Sequence, residues 1–333
     1  MRMLFGIMSA VQPVGTVAAL CDAIGTDHSI LIHHDFGQQA DFVLERRNVS
    51  FVENPVRTGW ASWGFSQGIL KLVHTAMERS DWDFFQLLSP TCMPIRRLDE
   101  LEAHLTSTAA DYYVDGADIA TESRMLMSHG WRAYAQQGLW RHRVLRTARR
   151  WYFEPDAQMA NHRGLSFPIA SHAGGSGIKA VRARIALGIT LAAKRGFAFR
   201  HVFSDGFRCY AGSTWFGASR RGCAYLIEKT AEGPFLRHFK GMHMADEMLY
   251  PSVFKNSSLR GAPSLHHVSR FVDARPAWIT VADLDEVMAS GRFFARKFPE
   301  DAGSEVRAEL GRRLPAQTGL TFPEPRKTGT RAQ

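Results

Sequence analysis

The chain opens with MLFGIMSA (3–10), an apolar run too short for a surface helix, which predicts a buried strand. Pro13 through Ile24 reads as the helix that follows it. SILIHHD (29–35) is a second strand ending in polar residues, and VSFVE (49–53) a third. SQGILKLVHTAMERS carries apolar residues at 69, 70, 72, 73 and 77, the stripe of a helix. DFFQLL (83–88) is a fourth strand, closed by SPTCMPI, whose two prolines continue neither a sheet nor a helix. Strands alternating with helices predict an α/β fold with a mainly parallel, doubly wound sheet. Ligands bind such sheets beyond the carboxyl ends of the strands. That rule puts His33, His34 and Asp35, and separately Ser89 and Thr91, where a ligand would lie.

The basic residue and apolar run at the N-terminus raise a signal peptide as a reading, but Gln12 and Pro13 interrupt the run. A strand followed by a helix explains it better. No later stretch has the roughly 18 uninterrupted apolar residues of a membrane span. Cys21, Cys92, Cys209 and Cys223 are scattered, without metal or disulfide-scaffold spacing, which predicts buried thiols in a reducing, cytoplasmic setting. The net charge of +9 points to an anionic partner: a nucleotide diphosphate, an acidic glycan, a membrane surface or nucleic acid. Seven arginines fall between 124 and 150, interleaved with aromatics. This basic insertion (124–151) reads either as a solvated basic helix pair or as a docking surface for anionic glycan, lipid headgroups or a partner. A nucleic-acid role lacks any helix-turn-helix, RNP-like or zinc signature. Residues 1–322 read as a single domain, and the apolar pattern is lost in the tail at 323–333, which reads as disordered.

Chemistry is narrowed by what the sequence lacks. There is no phosphate-binding P-loop and no dinucleotide fingerprint after a strand. HAGGSGIK (172–179) is glycine-rich but reads as a turn. Zinc spacing is absent, so no metal is expected. Two Asp-x-Asp pairs occur. Asp81 and Asp83 precede their strand, on the wrong side for a ligand, and Asp283 and Asp285 lie at a helix start where Thr280 or Asp283 can cap. Both are read as structural. In FKGMHMADEMLYPSVFKNSS (239–258), Asp246 and Glu247 read locally as acidic residues of a first helical turn, complementing its dipole. The alternative is a catalytic carboxylate at the mouth of a site.

Several segments, in order from about residue 4 to 298, resemble one family. WDFFQLLSPTCMPIRRLDEL, ILIHHD, VSFVENPVRTGWASWGFSQ, YAGSTWFGASRRGCAYLIE, MADEMLYPSVFKNS and DLDEVMASGRFFARKF are similar to segments of the core-2/I-branching β-1,6-N-acetylglucosaminyltransferase and peptide-O-xylosyltransferase family. Residues 115–195 carry little of the likeness. The resemblance implies a GT-A-like nucleotide-sugar transferase fold, an inverting, metal-independent mechanism, no cofactor, and a UDP-sugar donor, with N-acetylglucosamine first among the sugars and xylose the alternative. It assigns Glu247 as the base that takes the acceptor hydroxyl proton, with Asp246 capping the helix start or positioning the loop. Lys297 neutralises the leaving diphosphate together with an upstream arginine, for which Arg275 comes first and Arg270 second. Asp35, His33 and Ser89 fall at the nucleotide-sugar side. Trp215, Gly212, Ser213 and Asp246 fall at the acceptor side, Trp215 offering either a sugar-stacking face or core packing.

The chain departs from the family pattern after its first strand, where AVQP stands in place of a histidine, and at Pro90, where a glycine is usual. The stem, anchor and lumenal disulfides of animal members are not in this sequence. An acceptor of the glycan or lipid-linked saccharide class is therefore expected, with peripheral contact between the basic insertion and an anionic membrane.

Overall fold

The computed structural model describes residues 1–121, 132–133, 157–162, 165–170, 176–178, 180–181, 185, 201–231, 233–268, 271–272 and 275–314. The basic insertion apart from Arg132 and Ala133, most of HAGGSGIK, Arg270 and the tail lie outside the described residues, and Arg275 is described in its backbone only.

Strands β1 (Met3–Ser9), β2 (Ser29–His34), β3 (Val49–Phe51) and β4 (Phe84–Leu88) form where the apolar runs predict them. Between and after them lie helices α1 (Val14–Ile24), α2 (Trp63–Glu78) and α3 (Leu98–Thr108). The N-terminal apolar run is thus a strand and a helix. These strands join β6 (Tyr112–Tyr113), β11 (Gly217–Ser219) and β12 (Gly261–Ala262) in a seven-stranded sheet of order β12-β6-β11-β4-β1-β2-β3. Only β11 runs antiparallel to its neighbours, so the sheet is mainly parallel.

The sheet is covered on both faces, as the doubly wound reading requires. Along β1 the side chains alternate. Met3, Phe5 and Ile7 pack with Val17 and Leu20 of α1 and with Leu98, Leu101 and Leu105 of α3. Leu4 and Met8 face the other way, toward Ile69, Leu72 and Val73 of α2. Gly6 lies on that second face under the Phe85 ring, where a Cβ would come within 2.4 Å of ring carbon. This close approach explains a glycine inside a central strand.

On the α2 face also lie α4 (Arg220–Ala231) and α6 (Asp246–Lys255), with α5 (Gly233–Lys240) between them in sequence. Helix α6 is anchored by Met248, Leu249, Tyr250, Val253 and Phe254, all fully buried. Each such side chain contributes about 1.5–3 kcal/mol relative to exposure. The carboxylates at its head are therefore held by a rigid element.

A second sheet places β13 (His266–Val268), β16 (Phe294–Arg296) and β5 (Met93–Pro94) side by side. Here one expectation is corrected, because Pro94 does continue a sheet. It pairs with Phe294 in a two-residue strand at the edge of this small sheet, where a proline's missing N–H costs no ladder bond. This pairing lays the FARKF segment against the end of β4, and Phe298 N donates to Thr91 O at 2.9 Å. A ladder of β7 (Gly116–Asp118) with β10 (Tyr210–Gly212) brings the chain back before β11. The hairpin of β8 (Ala157–His162) and β9 (Leu165–Ala170) and the pair β14 (Phe271–Val272) with β15 (Arg275–Pro276) complete the strands described. No helix among the described residues is long and apolar enough to cross a membrane.

Candidate active site

Three clusters meet beyond the carboxyl ends of the parallel strands. The first is the turn after β2. Asp35 is nearly fully buried and accepts hydrogen bonds from Gly37 N, Gln38 Nε2, Thr58 N and Thr58 Oγ1 at 3.1, 2.6, 2.6 and 2.9 Å. Burial pushes its carboxyl up, but these four donors more than offset that and hold it below the ordinary range. His33, with no exposed surface, accepts from Val56 N through Nε2, and burial lowers it to about 4. Both side chains therefore fasten the loop after β3 to the sheet, and neither presents a free face to a ligand.

The second cluster lies at the end of β4. Ser89 Oγ is 3.0 Å from Thr91 Oγ1 and 3.3 Å from Cys92 Sγ. Cys92 Sγ is 3.3 Å from His266 Nε2, and Gln86 Nε2 donates to His266 Nδ1 at 3.4 Å. Burial lowers His266 to about 3 and raises the Cys92 thiol. A neutral imidazole and a neutral thiol leave the positive charge of this region to its arginines. The Arg296 guanidinium lies over the Trp215 ring at 4.8 Å, its Nε has no hydrogen-bond partner, and burial lowers its pKa. Arg307, 1% exposed, donates to Pro299 O and Met93 Sδ and keeps one terminal nitrogen unpartnered. Next to Arg296 in sequence, Lys297 places its ammonium 3.8 Å from the centre of the Trp278 ring.

The third cluster is the head of α6. Asp246 does not cap the helix, because Ala245 occupies that position and makes no side-chain bond. Thr214 Oγ1 donates to Asp246 Oδ2 at 2.6 Å instead, which ties α6 to the loop before β11. Burial raises the Asp246 carboxyl. Glu247 sits one residue on, its side chain 30% exposed, and Arg132 Nη1 donates to its Oε2 at 3.0 Å. Burial raises Glu247, and the Arg132 charge partly offsets the rise. Pro251 has no N–H to offer the Glu247 carbonyl four residues back, so the first turn of α6 is released from regular helical bonding at this residue.

The clusters are connected. Trp215 packs edge-on to Phe65 and lies 6.3 Å from the His266 ring, and with 6% exposure it behaves as a wall of packed rings more than an open stacking face. Ser213 Oγ accepts from Trp215 N, while Gly212 is fixed by crowding, since a Cβ there would stand 2.0 Å from Asp115 O. The loop after β3 runs from the Asp35 turn past Trp60, which is 85% exposed and edge-on to His243, to the residues preceding Glu247. The structure thus gathers Ser89, Trp215, Asp246, Glu247 and the backbone of 296–298 around the end of β4 and the loop before β11.

Thr214, Arg296, Arg307 and Arg132 were missed by sequence reasoning. Arg296 lies inside the quoted FARKF motif and Thr214 inside GSTW, so both had a signal. Arg132 had none beyond its arginine-rich segment. In the Asp-x-Asp pairs, Asp81 pairs with Arg79, Asp83 with Arg2, and Asp283 accepts from Thr280 N and Oγ1. All four cysteines are free and buried.

Residues 27–126 match the family model described as Core-2/I-Branching enzyme, a stretch that includes the Asp35 turn and the end of β4. No curated protein matches the chain. Among solved structures, the apo form of the WbbM bifunctional glycosyltransferase is similar at 10% identity and a TM-score of 0.39, over 94% of this chain. This chain spans about half of that one, 52% of its length.

Proposed function

With residues 27–126 as a Core-2/I-Branching enzyme domain, we propose that the chain is an inverting glycosyltransferase that moves a sugar, N-acetylglucosamine first, from a UDP-sugar to a hydroxyl of a glycan or lipid-linked saccharide. The observation that carries this reading is the carboxylate of Glu247. It is half-buried at the head of a rigid helix, with Oε2 held by Arg132 and Oε1 without a hydrogen-bond partner among the described residues. A carboxylate so placed can take the proton of an acceptor hydroxyl as that oxygen attacks the anomeric carbon. Inversion needs only this one base, because a diphosphate leaves without protonation.

The leaving group needs countercharge. At the end of β4 stand hydroxyls, a thiol and cations, with no carboxylate in Ser89-Pro90-Thr91 to hold a metal. Arg296 and Lys297 lie against that strand end through the Phe298–Thr91 bond, and Arg275 joins them in this proposal. Cations in a partly dry site stabilise a developing diphosphate by charge-assisted hydrogen bonds. The Asp35 turn then receives the nucleotide through its backbone, its carboxylate having been spent on the turn itself.

The test is UDP release from a panel of UDP-sugars with EDTA present, comparing the wild type with Glu247→Gln. Release from one donor that resists EDTA and disappears in the variant supports the proposal. Release that requires a divalent cation, or that survives Glu247→Gln, sinks it.

A further inference from the structure

Of the arginine-rich segment Arg132 and Ala133 are described, and Arg132 touches the candidate base. We propose that Arg132 is the positioning residue of the reaction: it clamps Oε2 of Glu247, fixes the rotation of the carboxylate, and leaves Oε1 as the single oxygen open to an acceptor hydroxyl. This rests on the assignment of Glu247 as base.

The geometry is specific. The Nη1 to Oε2 distance is 3.0 Å, and the side chains are 10% and 30% exposed, so water does not screen the pair as it screens a surface ion pair. Glu247 otherwise faces a difficult environment. Asp246 stands next to it on α6, carries a raised pKa from its own burial and repels a second negative charge. His243, in the turn before α6, is lowered by burial and by Arg132, so it brings no dependable positive charge. Arg296 in turn feels the charge of Asp246. Two adjacent half-desolvated carboxylates without a shared cation would keep one proton between them, and a protonated Glu247 is no base. Arg132 is the cation that lets Glu247 stay ionised.

The consequence for the chain is that Arg132, from the segment at 124–150, takes part in the chemistry. It reaches across 115 positions of sequence to the head of α6.

The experiment reads Glu247 directly in the full-length protein by carbon NMR of glutamate side-chain carboxyls, with Glu247→Gln identifying the resonance. Arg132→Met is expected to raise the Glu247 titration midpoint by roughly 1–2 pH units, the size expected for losing an opposite charge at this distance, and Arg132→Lys to restore most of it. An unmoved midpoint in a folded Arg132→Met protein, with unchanged dispersion of the other resonances, overturns the inference. Should Arg132→Met fail to fold, Arg132→Gln replaces it, retaining a hydrogen bond and losing the charge. The same midpoint then decides. Donor turnover separates the two readings. Where Glu247→Gln leaves UDP release intact, the base assignment has failed, and Arg132 cannot be positioning a base. Where Glu247→Gln abolishes release, the acid limb of kcat/KM must shift upward in Arg132→Met by the amount the NMR midpoint moves, and a limb that stays in place refutes the clamp alone.

Discussion

Met244 donates its backbone N–H to the carbonyl of Ala61 at 3.1 Å, and both residues hold positive φ, 53° and 57°. Left-handed backbone is unfavourable for residues with a Cβ and persists where surrounding structure enforces it. The two strained points face one another across the seam between the loop after β3 and the turn that delivers Glu247. Ala61→Gly should relieve one of them. We expect stability unchanged or raised by up to about 1 kcal/mol in urea unfolding, with UDP-sugar turnover reduced because the seam loses its stiffness. A destabilised variant would show that Ala61 packs for its methyl group.

Thr214 and Asp246 form the other seam, between the loop before β11 and α6. Thr214→Val keeps the shape and removes the donor, leaving a buried carboxyl without its partner. A loss of about 1–3 kcal/mol is expected, measured as a lower urea midpoint at unchanged slope. No loss would mean that Asp246 is already protonated and finds another acceptor.

Acid should weaken the fold before most carboxylates titrate. His33 and His266 are lowered from 6.5 to about 4 and about 3. Below pH 6.5 the unfolded chain gains protons that these two folded imidazoles refuse. Their contribution is complete above pH 6.5 and falls away as pH drops toward 4 and 3. Asp246 and Glu247, raised by burial, act in the opposite sense and only near the carboxylate range. Urea midpoints should hold from pH 7.5 to about 6.5 and fall from there to pH 4.5, and His266→Gln should flatten the decline. Equal slopes in both proteins would remove His266 from the account.

Glycines allow a paired comparison. A Cβ at Gly212 would stand 2.0 Å from the Asp115 backbone oxygen, whereas one at Gly15 in α1 meets nothing within 4 Å. Gly212→Ala should cost at least 1–3 kcal/mol, roughly the cost of an overpacked site. Gly15→Ala should gain a few tenths to about 1 kcal/mol. Thermal melts of the two variants side by side test the packing of the β7–β10 ladder.

Arg296→Met should weaken UDP binding at least about tenfold, measured by calorimetry, because it removes a cation whose Nε has no partner in the protein. Binding that survives would leave the diphosphate to Lys297 and Arg275.

The sheet was legible because its strands are short apolar runs separated by a striped helix, and a sheet covered on both faces leaves that trace in the sequence. The small sheet around FARKF was not, since strands of two and three residues such as Met93–Pro94 have no period to read. At the site, the Asp246–Glu247 pair could be seen locally, and the resemblance chose between its two residues. The tie from Thr214 to Asp246 could not be seen, because 32 positions separate a threonine from its acceptor and only folding brings them together. The roles of His33 and Asp35 looked like ligand contacts from strand-end position alone. Their burial and their hydrogen bonds to Val56 and Thr58, which tie the loop after β3 to the sheet, could not be read from that position.

The ladder between Gly116–Asp118 and Tyr210–Gly212 joins two strands that lie far apart in sequence. Because closing a loop costs free energy only logarithmically in its length, the ladder works as a clasp: the chain between its two strands can be longer or shorter at little cost to the closure itself.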